Sequence, residues 1–435
     1  MLGLELAMIF VLSQKNGLSI FFRSDGTEYQ TLVLNIINRG EFSLDQQTPF
    51  VPTDYRTPGY PFWLVAIYLI FGSFKPAIFI GVVVFAFSAP LVFLIGKEIF
   101  KEKIAFWGAI IFAIEPWAIF QSGFLVAEQI FLPFLLFSIY LFCRYLKLEN
   151  NTYLYGASLF LGVTTLIRPA ALYFIFIFGF LALISGLKKS IFQSLKISSL
   201  VIAIFILVLS PWLIRNKIVL NTWQLSSAAS NGVLYIESYN LNKYLGKITD
   251  EHEWEKADLL AGTKGNYGLF KRADISRIAA DYAIKEIKAN KAAFAAMHLK
   301  NMALFLIKNS YGNIFLDLKI SGANIQSKIG AAAFKKDFSG LLNLIKDASN
   351  GAKVLTTLFF FWPVIIIFVI FGIVSMLKKN YHYLPFWFLI LWILYFLAMS
   401  ADFHDISRYK LSINAPLIML AVYGFHKILC KNKTS

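Results

Sequence analysis

Apolar runs of roughly twenty residues recur along the chain, and that is the length at which a helix crosses a bilayer. A chain with many such runs cannot bury them all in one aqueous core. With 58% hydrophobic and 15% charged residues, and 44 Phe among 435, it lies well outside the composition of a soluble domain. The expected fold class is therefore an all-α polytopic membrane protein with about ten transmembrane helices. Interfacial helices are expected in the first outer loop, and one α-rich region outside the membrane. Expected spans cover about 76–96, 104–121, 124–146, 152–168, 170–187, 192–213, 354–377, 382–400 and 409–429. Leu2 to Leu12 is apolar but short, with no basic start and no small-residue cleavage site. It fits a signal-peptide core, but the favoured reading is a first membrane helix whose beginning precedes this sequence.

The net charge of +16 does not point to nucleic acid, because the excess falls where the positive-inside rule puts it. With the N-terminus inside, the short cytoplasmic connections hold Lys97, Lys101 and Lys103; Arg144 and Lys147; Lys188 and Lys189; Lys378 and Lys379; and Lys427, Lys431 and Lys433. Cys143 and Cys430 fall on that side, where a disulfide is not expected. The expected organisation is an N-terminal transmembrane catalytic module over 1–216, including a first outer loop at 23–61. An extracytoplasmic region follows over 217–353, and C-terminal helices over 354–435.

The outer ends hold a different set: Asp25, Glu28, Arg56, Glu115, Glu128, Arg168, Arg215, Asp402, His404, Asp405 and Arg408. Ionisable groups in or beside spans are costly and default to functional candidates. The stretch from Ser24 to Asn38 reads as an amphipathic helix, with Tyr29, Leu32, Val33, Ile36 and Ile37 on one stripe and Gly40 as its stop. Such a helix lies in the membrane interface. Thr57-Pro58-Gly59 forms a tight turn, Pro61 opens the next helix, and Phe62 to Phe71 is too short to span. Ala273 to Lys308 reads as one further helix.

Asp25 and Glu28 share a helix face, which fits a general base acting on an acceptor hydroxyl and equally an N-terminal cap. Arg168 and Arg215 fit phosphate binding or snorkelling at helix ends. Glu128 wants a partner elsewhere in the chain, whereas Glu115, before Pro116, reads as solvated. Tyr60 fits a positioned contact or an interfacial anchor. Asp402, His404 and Asp405 offer a set for a divalent metal, although one loop histidine is ordinarily solvated. Nucleotide-binding glycine loops, H-E-x-x-H, cysteine metal motifs and D-x-D are missing from the sequence.

The order S-D-G-T-E-Y, R-T-P-G-Y-P, L-V-A-E-Q-I-F, T-L-I-R-P and S-P-W-L-I-R-N, with S-R-Y-x-L-x-I-N-A-P at 407–416, resembles a known family. It is similar to the type C membrane glycosyltransferases of the bacterial protein O-mannosyltransferase and aminoarabinose transferase kind. The resemblance covers the first half well and the middle loosely. It implies a polyprenyl-phosphate-sugar donor and transfer on the outer face of the membrane, to a lipid, protein or glycan acceptor. Asp25 then matches the catalytic aspartate of the first loop, with Glu28 three residues on rather than adjacent. Glu128 matches the acid of the fourth span, and Arg56 and Arg168 match the donor-side arginines. Tyr60, Arg215 and Arg408 complete the expected substrate-binding set. A lipid-linked glycan flippase or transporter would instead place charges near the bilayer midplane. A glycan polymerase or ligase would need a large outer loop, for which 217–353 leaves room.

Overall fold

The computed structural model describes residues 1–23, 25–187, 190–247, 273–320, 349–380, 383–400 and 406–431. Among these residues the regular elements are helices, and the β pairing is an isolated antiparallel bridge between Ser43 and Pro52. Six helices are long and apolar enough to cross a bilayer: Lys75–Ile99, Glu128–Leu148, Pro169–Gly186, Ile191–Leu220, Lys353–Lys378 and Ser407–Leu429. Glu102–Ala113 and Pro116–Ser122 form a pair bent by 56°, which makes seven if the pair is one span. The expected count of ten is not confirmed. Leu2–Asn16 has 15 residues, and Asn151–Ile167 and Leu384–Ser400 have 17 each, short of the roughly twenty a crossing needs.

The chain divides into two compact units. The first comprises Met1–Arg23, Ile78–Asn150 and Met302–Ser435; the second comprises Ser24–Ala77 and Asn151–Asn301. In the first unit, glycines let helix backbones meet. A Cβ on Gly96 would lie 2.8 Å from that of Ala105, and one on Gly108 would lie 3.2 Å from the Met419 side chain. Gly372 and Gly424 face each other from Phe361–Asn380 and the last helix, and a Cβ on Gly424 would lie 2.7 Å from the Gly372 nitrogen. Small residues at such crossings replace the hydrophobic drive that lipid removes. The last helix is buried through Leu411, Ile413, Leu417, Ile418 and Leu420.

In the second unit, Asp25–Arg39 forms the expected amphipathic helix and buries Tyr29, Leu32 and Val33. Its third turn differs from the expected stripe, since Asn35 is buried in place of Ile36 and Ile37. The reason is polar: Asn35 Nδ2 donates to Ser43 O at 2.8 Å and Asp45 O at 2.9 Å, folding the following loop back on the helix. Gly40 stops the helix at φ +72, with its amide on Ile36 O. The next helix, Gly59–Phe71, starts before Pro61, because the Phe62 amide already bonds Pro58 O. Buried serines join the long helices: Ser158 Oγ donates to Val201 O at 2.5 Å, and Ser198 Oγ to Gly179 O at 3.0 Å. The single helix expected over 273–308 is two, Ala273–Ala289 and Lys291–Ile307. Asn290 lies between them and turns its amide side chain onto Glu286 O.

Gly424→Val should separate the last helix from Phe361–Asn380. The expected outcome is a large loss of thermal stability in detergent, of the kind overpacking gives, about 1–3 kcal/mol or more. Gly3→Ala, where nothing lies within 4 Å, should leave the melting temperature unchanged.

Candidate functional site

The second unit brings Asp25, Glu28, Arg56 and Tyr60 together. Asp25 and Glu28, one turn apart at the start of their helix, both face the Arg56 guanidinium. Arg56 Nη2 donates to Asp25 Oδ1 at 2.7 Å and to Glu28 Oε2 at 2.5 Å, and Nε reaches the same Glu28 oxygen at 3.1 Å. The three side chains are 16–22% exposed, so they meet at the edge of water. Rings frame the cation, Tyr29 at 5.1 Å and Tyr55 at 5.0 Å from the guanidinium carbon, an arrangement that favours the charge. Burial works against the charge of Arg56, but the acidic groups of Tyr29, Asp25 and Glu28 more than offset it. The guanidinium is thus held above its ordinary value. Tyr60 is fully buried, edge-on to Tyr29 at 4.6 Å and stacked on Trp63 at 5.4 Å.

The R-T-P-G-Y-P turn is fixed by backbone. Thr57 Oγ1 donates to Ile167 O at 3.0 Å, and a Cβ on Gly59 would lie 2.7 Å from the Ile167 nitrogen. Arg168 follows that helix in extended backbone, as the residue before a proline must, with its amide on Thr164 O. Arg215 Nη1 donates to Thr53 O and to Asn216 Oδ1, both at 2.9 Å, and its guanidinium carbon lies 4.8 Å from the Trp212 ring. P-W-L-I-R-N therefore acts as a clasp. Trp212 Nε1 and Asn216 Nδ2 hold Leu225 O and Gln224 O, while Arg215 holds the loop at Thr53. Asp54 completes it by capping Ser227–Tyr244, accepting from the Ser227 amide at 2.6 Å and the Ala228 amide at 3.2 Å. Sequence reasoning missed Asp54 and Asn35: an Asp in a loop before a helix is a common cap former, whereas Asn35 lies inside its helix and gave no such signal.

The first unit supplies the partner that Glu128 requires. Arg408 Nε donates to Oε1 at 2.5 Å and Nη2 to Oε2 at 2.9 Å, with the carboxylate 3% and the guanidinium 15% exposed. Two parallel charge-assisted bonds fix distance and angle together. Glu128 is the first residue of its helix rather than one turn inside a span. Glu115 is a correction, since it is 1% exposed and not solvated. It caps Pro116–Ser122 through the Ala118 amide at 2.7 Å and takes the Tyr311 hydroxyl at 2.6 Å. Burial, and then the Glu115 charge, push the Tyr311 phenol above its ordinary range, so it stays a donor. Lys410 is also fully buried and was not among the sequence candidates. At the other end of the Glu128 helix, Arg144 and Lys147 each approach Glu98 at 3.1 Å. Among the described residues no three His, Cys, Asp or Glu side chains converge as a metal set. Asp402, His404 and Asp405, with the Lys188–Lys189 pair, lie outside the described residues.

Long apolar helices with paired charges at their ends define a multi-pass membrane protein that holds carboxylate–guanidinium clusters in or beside the bilayer. Residues 55–214, under half of the chain, match the family described as dolichyl-phosphate-mannose-protein mannosyltransferase. That segment includes R-T-P-G-Y-P, L-V-A-E-Q-I-F, T-L-I-R-P and most of S-P-W-L-I-R-N, and the match bears out the resemblance to the type C membrane glycosyltransferase superfamily. No curated protein matches the chain. Solved structures of the Archaeoglobus fulgidus oligosaccharyltransferase are similar to it. The form tethered to an acceptor peptide with an NVT sequon is 13% identical, with TM-score 0.49 over 98% of this chain and 50% of that one. The complex with zinc and sulfate is 15% identical, with TM-score 0.45 over 98% and 51%. The chain thus spans about half the length of the structures it matches, and scores below 0.5 say nothing of its chemistry.

Removing one partner of the Glu128–Arg408 pair strands a buried charge. Glu128→Leu should lower stability by about 3–5 kcal/mol, and the double variant Glu128→Leu/Arg408→Met should recover most of that loss. Unfolding of both variants in one detergent checks this, and equal losses would contradict it.

Proposed function

We propose that the protein is a membrane glycosyltransferase that moves a sugar from a polyprenyl-phosphate donor to an acceptor on the extracytoplasmic face of the inner (plasma) membrane. The observation that carries this reading is the convergence of Asp25 and Glu28 on Arg56 at the edge of water. Asp25 is the general base. It takes the proton of an acceptor hydroxyl as that oxygen forms its bond to the anomeric carbon. The bond from that carbon to the donor phosphate oxygen breaks, and the polyprenyl phosphate leaves with the electron pair. Arg56 Nη2 donates to Asp25 Oδ1 at 2.7 Å and so fixes where that carboxylate stands. Arg56 therefore acts first on Asp25 and Glu28, orienting them as it shares one nitrogen between them.

The leaving phosphate gains charge and needs fixed cations, for which guanidinium forks are suited. Arg168, in the same unit as Asp25, takes that role in this reading, and Arg408, in the other unit, is a separate guanidinium that binds a lipid-linked phosphate. Arg215 contributes by holding the loop at Thr53, and Tyr60 by packing beneath Tyr29. Glu128 orients Arg408. A tail that never leaves the bilayer suits a chain whose exposed surface is apolar along its helices, as at Phe176, Phe180, Ile206 and Leu207. The acceptor, whether lipid, protein or glycan, meets the outer side. A divalent ion, were one bound, would be held by the Asp25 and Glu28 carboxylates and would supply positive charge for the leaving phosphate.

Asp25→Asn keeps the shape and a hydrogen bond to Arg56 but cannot accept the proton. Transfer from a synthetic polyprenyl-phosphate sugar should fall by about 10²-fold or more, while membrane insertion and detergent elution stay normal. Retained transfer within about threefold would remove Asp25 from the base role.

A further inference from the structure

Three polar residues of the last helix stand at i, i+3 and i+7: Ser407, Lys410 and Asn414. That spacing places them on one stripe. They are 3%, 0% and 1% exposed. A water-facing stripe would be exposed, and a lipid-facing one would be apolar, so this stripe is polar because protein covers it. The cover is a strap, residues 306–319, together with Glu115. The Ser310 amide donates to Ser407 Oγ at 2.6 Å, and the Ser407 amide returns a bond to Ser310 Oγ. Lys410 Nζ donates to Leu306 O at 3.2 Å and to Lys308 O, the carbonyls ending the Lys291–Ile307 helix. Its Nζ lies 4.6 Å from the centre of the Trp362 ring. Asn414 Nδ2 approaches Glu115 Oε2 at 3.5 Å, and the other Glu115 oxygen takes the Tyr311 hydroxyl.

The far end of the strap is held as firmly. Asp317 pairs with both terminal nitrogens of Arg23, and Asn16 Nδ2 donates to Asp317 O at 2.7 Å. Lys15 Nζ donates to Leu318 O at 2.5 Å, and Lys319 Nζ to Lys15 O at 2.6 Å. The strap is thus tied to the first helix at one end and to the last helix at the other. Arg408 is the next residue after Ser407, about 100° around the same helix, and makes the bidentate pair with Glu128.

We propose that Ser407, Lys410 and Asn414, engaged by Glu115, Tyr311 and the strap, are positioning residues that set the rotation of the last helix about its own axis and thereby aim Arg408. This rests on the reading above only in giving Arg408 a lipid-linked phosphate. The leverage is geometric. A turn of about 30° shifts a Cα, some 2.3 Å from the axis, by roughly 1.2 Å, and carries a guanidinium farther out by several times that. A shift of that size takes a guanidinium out of hydrogen-bond range of a bound phosphate oxygen. Three polar anchors on one stripe resist that turn better than apolar contacts, which slide with little directional preference.

The test compares Tyr311→Phe and Lys410→Met with Leu420→Ala, a buried apolar truncation on the same helix. In the full-length protein, each polar variant should raise KM for a polyprenyl-phosphate sugar by about tenfold and leave kcat within about twofold. Leu420→Ala, at a similar loss of melting temperature, should leave KM unchanged. Equal KM in all three, or a KM that merely follows melting temperature, overturns the proposal. Hydrogen exchange supplies a readout independent of catalysis. Amides of 406–414 should lose about tenfold protection in Lys410→Met and none in Leu420→Ala. If wild type transfers no sugar but that loss appears, the stripe stands and the transferase reading falls. If the loss is absent, the stripe falls whatever the activity.

Discussion

A charge taken out of water must be met by an opposite charge or by fixed donors, and in an apolar chain few positions can meet it. That constraint governs several ionisable groups within each compact unit. Glu128 has Arg408, Asp25 and Glu28 share Arg56, and Glu98 has Arg144 and Lys147. Where no opposite side chain pairs at close range, backbone serves: Lys410 is met by helix-end carbonyls, and Asp54 by helix-start amides. These pairings join residues up to nearly three hundred positions apart. Each such pairing ties a helix to a group far along the chain, with a directionality that apolar packing lacks.

The same constraint explains what could be read from the sequence. The helical class, six of the expected spans and the amphipathic helix after Asp25 follow from local periodicity and are present, whereas 152–168 and 382–400 are 17-residue helices and 104–121 is a bent pair. That Glu128 must find a partner was legible as well, because an acid beside an apolar run leaves few other options. Which cation it finds was not legible, since nothing local links position 128 to position 408. The misreading of Glu115 has the same origin. Before a proline at a helix start it looks like a cap facing water, and it does cap; its burial comes from Tyr311 and Asn414, far along the chain. The fold of 40–58 was opaque too, because Asn35, Asp45 and Asp54 act through backbone bonds that carry no hydrophobic signal.

The arginines noted together in the sequence have separate tasks in the structure. Arg56 is surrounded by acids and rings, Arg215 is spent on a carbonyl and a neighbouring amide, and Arg408 is paired with Glu128. A count of positive residues near a membrane surface thus overstates the charge available to a phosphate. What decides availability is how many of the five guanidinium donors are already committed.

Position 59 has a consequence of its own. With its Cα pressed on the peptide between Leu166 and Ile167, it leaves no room for any side chain. Two stretches a hundred residues apart thereby share a seam with no slack. Sequence drift on one side of the seam is answerable to the other, and a chain that lost the glycine would have to re-thread both arginine-bearing loops at once.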